Sequence, residues 1–228
     1  MMEKIFDLEN PFMRALTKLA DLVWLNILTV ICCIPIITAG AAFTSLHHTC
    51  LRMVRDEDGN ITRGYFRFFK VQFKQATILW LGMLVVTAFV VGDYYIIALA
   101  GDGIPNVIRI ALWIITGVLA CGGVFLFPMQ ARFVNSIRDT LRNAFMGSLL
   151  QLPRTLLMLF ITILPFVLFL FTDLAIPLVV LFGISVPVYL KAKVYDSFFQ
   201  KIEDRINEQM MEQEKNKENE ETEEQVSA

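Results

Sequence analysis

Long apolar runs separated by short polar stretches dominate this chain. Five runs stand out, over residues 22–44, 76–100, 104–129, 155–171 and 174–190. A helix needs about 20 residues to cross the hydrocarbon core of a bilayer, and about 17 at the lower limit. The first three runs exceed that length. The last two sit at its lower edge, with only Thr172 and Asp173 between them. They read as two short spans, the other option being one hairpin that does not cross completely. The pattern predicts an all-α, polytopic integral membrane bundle of about five transmembrane helices.

The polar stretches have a helical period of their own. Arg63, Arg67, Lys70 and Lys74 recur at spacings of 4, 3 and 4, which places them on one stripe. Phe66, Phe69 and Phe73 recur at 3 and 4 on a separate apolar face. This spacing predicts an amphipathic helix in the membrane interface, with the phenylalanines in the acyl boundary and the basic stripe toward anionic lipid phosphates. The four basic residues form a candidate face for lipid or for a protein partner. Phe133, Ile137, Leu141 and Phe145 make a similar stripe beside Arg138 and Arg142, and Tyr195, Phe198, Phe199, Ile202 and Ile206 make a third.

Two units of the chain resemble each other. Arg63 and Phe66 match Arg142 and Phe145 at an offset of 79, and Asp93 matches Asp173 at 80. Pro128 matches Pro187 at 59, because the second unit has a shorter turn and a shorter last span. Membrane folds often build a site where such repeats meet. Apolar segments also resemble one another by chance, and both explanations stay open at this point.

Composition agrees with the membrane class. Of the 228 residues 56% are hydrophobic and 18% are charged, and the mean hydropathy is +0.57. A soluble domain is about 45–50% apolar and about 25% charged. One domain of this size cannot hide that much apolar surface from water. The net charge of -2 supplies no field for nucleic acid. The N-terminal segment mixes Glu3, Asp7 and Glu9 with Lys4, Arg14 and Lys18, unlike an export signal. Its apolar run is also too long for one and is interrupted by Pro35.

Lys and Arg predict the orientation. Sixteen of the twenty lie in segments 45–75, 130–154 and 191–228, while the turns at 101–103 and 172–173 have none. Cytoplasmic loops collect positive charge, so those three segments are expected in the cytoplasm with the C-terminus. Five spans then put the N-terminus outside. A re-entrant first segment, broken at Pro35, would instead put both termini inside. The chain divides into an amphipathic N-terminal segment at 1–21, a membrane domain at 22–202 and an acidic tail at 203–228. The tail holds ten acidic and three basic residues, and is expected to be a solvated helix fraying into disorder.

Little in the sequence points to catalysis. His47 and Cys50 of the His-His-Thr-Cys run could share a helix face, but two ligands make a poor metal site. The histidines are expected at the interface. Cys32, Cys33, Cys50 and Cys121 show no redox or zinc spacing. The Asp56–Asn60 run lacks calcium-loop spacing and reads as a turn. Asp93, near the outer end of the second span, and Arg109, early in the third, form a candidate membrane-boundary pair across the hairpin. No span carries a charge at its centre, as a proton relay or ion-coupled carrier normally requires. No phosphate loop, serine–histidine–acid set or inward carboxylate pair is present. No catalytic, cofactor-binding or metal residue is assigned, and an enzyme is not expected.

Three stretches carry a specific resemblance. Residues 21–40 read DLVWLNILTVICCIPIITAG, residues 65–80 read YFRFFKVQFKQATILW, and residues 152–157 read LPRTLL. In these the chain resembles the YesL family, bacterial polytopic membrane proteins with a domain of unknown function, over about residues 5–200. The resemblance implies a multi-pass protein of the bacterial plasma membrane. Family members are often encoded near carbohydrate uptake and breakdown systems. That implies an accessory or regulatory component that docks a carbohydrate permease or membrane sensor. A small transporter in its own right is the alternative, suggested by the repeat and the proline-broken spans. A membrane enzyme is the weakest option. The family brings no catalytic residues with it.

Overall fold

The computed structural model describes residues 11–57, 59–101, 105–133, 136–171 and 181–227. Every regular element among them is helical. In chain order these are α1 (Pro11–Cys33), a 3₁₀ turn (Ile36–Thr38), α2 (Ala39–Val54), α3 (Ile61–Ala100), α4 (Asn106–Arg132), α5 (Ile137–Leu150), α6 (Leu152–Phe171) and α7 (Ser185–Ser227). Three helices are long and apolar enough to cross a membrane: Phe12–Cys33, Ile61–Ala100 and Asn106–Arg132. The pair Ile137–Leu150 and Leu152–Pro165, bent by 103°, makes a fourth if taken as one span. The chain is therefore a membrane-embedded helical protein. The first part of the expected fifth span, residues 174–180, lies outside the described residues with Thr172 and Asp173.

The first expected span, 22–44, is not one helix. α1 stops at Cys33, because Pro35 disfavours the α conformation at the residue before it and has no N–H to continue the ladder. The Thr38 hydroxyl lies 2.5 Å from the Cys32 carbonyl and 2.8 Å from that of Pro35, where it can donate to groups the break leaves without helical partners. α2 then runs back beside α1. Lys18 Nζ meets Asp56 Oδ1 at 2.6 Å, so both far ends of this hairpin lie together. The same end sits beside the start of α3, where Trp24 Nε1 donates to Thr62 Oγ1 at 2.9 Å. The hairpin tip sits beside Trp80, whose Nε1 donates to the Ile36 carbonyl at 2.8 Å. Twenty residues of α3 continue past that level, or about 30 Å at 1.5 Å per residue. The α1–α2 pair is thus a helical hairpin whose tip lies partway along α3.

α2 is the centre of the bundle, with twelve of its sixteen residues buried. It packs against α1, α3, α4 and α7. Two glycines set the closest approaches. A Cβ on Gly40 would lie 2.4 Å from Trp80 Cβ and 2.5 Å from the Ala76 carbonyl, so only glycine lets α2 and α3 approach this closely. A Cβ on Gly122 would strike the Phe145 ring at 2.5 Å, which seats α5 on α4.

The interfacial helix expected ahead of the second span is not a separate element. Asn60 caps α3 by accepting from the Arg63 backbone N–H at 3.1 Å, and the helix then runs unbroken for 40 residues. No proline interrupts it. Its buried residues Tyr65, Gln72, Ala76 and Leu79 fall on one face against the bundle and hold the two halves in line. The basic stripe therefore lies on the same rod as the apolar span. In the second unit Pro153 follows a sharp break, and α5 and α6 bend by 103° instead. The two units differ at the joint that the repeat should share, so the structure does not support the repeat there. The third expected interfacial stripe is also displaced: Tyr195 and Phe199 are core residues. The helix that carries them continues through the acidic region to Ser227.

Candidate functional site

The strongest charged constellation was not among the sequence candidates. Arg55, just past the end of α2, donates through Nε to Asp196 Oδ1 at 2.6 Å. Its terminal nitrogens donate to the two oxygens of Glu203 at 3.1 and 3.2 Å. Arg132, at the end of α4, donates to the same two oxygens at 2.5 and 2.7 Å. Two guanidinium forks thus share one carboxylate, a geometry that suits Arg far better than Lys. The side chains of Arg55, Asp196 and Glu203 are only 11%, 13% and 23% exposed. Burial alone would raise the Glu203 carboxyl, but the hydrogen bonds from Arg132 and Arg55 outweigh it and hold the group below the usual carboxylate range. The cluster fastens α7 to α2 and α4. From Glu203 onward α7 carries the acidic sequence for about 36 Å more at helical rise.

Sequence reasoning missed this cluster because its partners lie 141 and 148 positions apart. A signal was present: Asp196 and Glu203 are seven apart, two turns along one helix face, between the aromatics Tyr195 and Phe199 and then Ile202.

Deeper in the bundle, α2 and α7 bring together His47, Cys50, Lys191 and Tyr195. All four are buried. His47 Nδ1 lies 3.3 Å from the Tyr195 hydroxyl, and its ring stacks on Phe127. Burial, with Lys191 nearby, keeps the His47 imidazole neutral well below the usual range. Burial lowers the Lys191 ammonium to about 8. His47 is thus a core residue, not an interfacial one. Near the same level Asn26 Oδ1 accepts the backbone N–H groups of Ile184 and Ser185 at 3.1 Å each, capping α7 from α1.

The residues singled out from sequence separate into three places. Asp93 is exposed near the outer end of α3 and makes no ion pair with Arg109 among the described residues. Arg109 Nη2 instead donates to the Gly101 carbonyl at the end of α3. It also lines a groove with Tyr94 and Trp113. The expected pair is replaced by a helix-end contact, because the α3 terminus supplies an unpaired carbonyl closer to hand. Arg63, Arg67, Lys70 and Lys74 are all exposed along α3. The first two turn into a groove of about 410 Å³, shared with Arg52 and His48 of α2, whereas Lys70 and Lys74 do not line it. His48 donates through Nδ1 to the Ala131 carbonyl at 3.0 Å and stacks face to face on Phe68, with ring centroids 3.8 Å apart.

Residues 22–94 match the family model DUF624, described as a protein of unknown function. The YesL family is a DUF624 family, so the resemblance carried by residues 21–40 and 65–80 holds over this stretch. In the fold those two motifs meet: Gly40 closes the first and packs on Trp80, which closes the second. The matched region covers the second half of α1, all of α2 and α3 as far as Tyr94, the helices arranged around that contact. No curated protein and no solved structure matches the chain.

Proposed function

We propose that the chain is an accessory or regulatory component of a bacterial plasma membrane, serving carbohydrate uptake by docking a permease or a membrane sensor. The observation that carries this reading is the Arg55–Asp196–Glu203–Arg132 cluster. It locks a long helix with an acidic extension onto the bundle at the end where α3 begins. A part built to present a charged rod from a fixed base suits docking. The exposed faces of α3, α4 and α6 are apolar and suit lipid or another membrane helix. The carbohydrate assignment rests on the resemblance alone.

The alternative is a small transporter. It draws on buried polar atoms with no hydrogen-bond partner, the Gln130 side chain above all, with the Thr140 and Ser185 hydroxyls. Affinity capture of the tagged chain from membranes in mild detergent, quantified against an untagged strain, separates the two. The docking reading expects a stoichiometric permease or sensor subunit, lost when the acidic extension is removed after Ile206. Accumulation of a labelled sugar by proteoliposomes holding only the purified chain would overturn it in favour of the transporter.

A further inference from the structure

We infer that the groove between α2 and the start of α3 is a phosphate-ester binding site, built by Arg52, Arg63 and Arg67. This stands independently of the docking reading. The groove has a volume of about 410 Å³, enough for a phosphoryl group and its ester. Three guanidinium groups from two helices line it, and a guanidinium fork matches phosphate oxygens in pairs. Glu57 is the carboxylate that reaches them among the described residues, 3.8 Å from Arg52 Nε, so positive charge remains in excess.

The construction is specific. A Cβ at Gly59 or at Gly64 would lie 3.2 Å from the terminal nitrogens of Arg52. The two glycines thus let this side chain lie close against the backbone on the groove wall. Arg52 is held there by donating through Nη2 to the Glu57 carbonyl at 3.0 Å. The stacked pair of His48 and Phe68 closes another wall. Because His48 Nδ1 is committed to Ala131, and burial with the nearby arginines keeps the ring neutral, the arginines supply the charge.

The groove is graded along α3. Its polar end holds Asn60, Arg63 and Arg67, and its other end holds Phe68 and Val71, the latter 72% exposed. Continuing along α3 from Val71 leads into the apolar span. A phospholipid would fit this gradient, with its phosphate at the arginines and its glycerol along Val71. A soluble phosphate ester shares the same chemistry at the polar end.

The test uses the full chain in a nonionic detergent and isothermal titration with four probes: dihexanoyl phosphatidylglycerol, dihexanoyl phosphatidylcholine, glycerol 3-phosphate and inorganic phosphate. Two variants lose equal charge on the same helix, Arg63→Gln/Arg67→Gln in the groove and Lys70→Gln/Lys74→Gln outside it. Phosphatidylglycerol is expected to bind most tightly. The arginine pair should weaken it at least tenfold and the lysine pair less than twofold. Equal binding of glycerol 3-phosphate or inorganic phosphate, with the same dependence on the arginines, supports the site and assigns it a soluble ligand. Equal losses in both variants, or no probe that distinguishes wild type from the arginine variant, would overturn it. Arg67→Gln alone, at an exposed position, gives the same reading if the double variant does not fold.

Discussion

Replacing Arg55 with Met tests what holds α7 to the bundle. The change keeps a long apolar stem but removes three hydrogen bonds, one to Asp196 and two to Glu203. Glu203 retains Arg132, while Asp196, only 13% exposed, loses its cation. Removing one partner of a buried ion pair costs about 3–5 kcal/mol, since the other charge stays in a poorly solvated place. The partial exposure of this cluster puts the expected loss at the low end, about 3 kcal/mol. For a chain of this size that lowers the thermal midpoint by about 6–12 °C. The assay is thermal unfolding of the purified chain in detergent at one scan rate. The pair Arg55→Met with Asp196→Leu supplies the control, because replacing both charges with apolar groups is often close to neutral. It should recover more than half of the single-variant loss. The acid limb gives a second check. The Glu203 pKa is depressed in the folded chain, so its contribution is present above the ordinary glutamate pKa and is lost as pH falls through the folded value. Wild type should therefore lose stability below about pH 4. Glu203→Gln should lack that share of the loss. A shift below 2 °C for Arg55→Met, or a double variant less stable than the single, would refute the account of the cluster.

Gly40→Ala should destabilise the chain by about 1–3 kcal/mol, the usual cost of overpacking, since the new methyl meets Trp80 Cβ and the Ala76 carbonyl; an unchanged thermal midpoint would show that α2 and α3 are not in close contact. Lys191→Met should raise stability at pH 7 by up to about 3 kcal/mol, because below about pH 8 the lysine stays charged in both states and folding carries that charge into the bundle, the cost that lowers its pKa to about 8. Wild-type stability should accordingly rise between about pH 8 and 10 relative to that variant, and parallel pH curves would rule the effect out. In a background without the native cysteines, single cysteines at Met13, Gly59 and Ser136 should all resist an impermeant thiol reagent in intact cells; labelling at Met13 with protection at Gly59 would mean that α1 and α2 do not return to one side.

Much of the fold was legible in the linear pattern. Apolar length alone marked the membrane helices, because burying 20 apolar residues in hydrocarbon outweighs most local preference. Pro35 announced a break, since a missing N–H and a clashing ring act locally. The motifs at 21–40 and 65–80 pointed to the family for the same reason, as runs of residues read in order. What the break does was a tertiary matter. Tertiary contacts, the Lys18–Asp56 pair and the Trp80–Ile36 bond among them, show that α2 folds back and that its tip stops midway along α3. The amphipathic period of residues 61–75 was real, yet period cannot tell a helix lying in the interface from the first half of a longer rod. Packing of Tyr65, Gln72, Ala76 and Leu79 on the bundle decided that. Helical spacing likewise placed Arg63 and Arg67 on one stripe with Lys70 and Lys74. The close passage of α2 divided the stripe, turning two of the four toward Arg52. The Arg55 cluster lay furthest from reach: charges gain strong partners when folding removes them from water together, and which charges meet depends on contacts that no local pattern specifies.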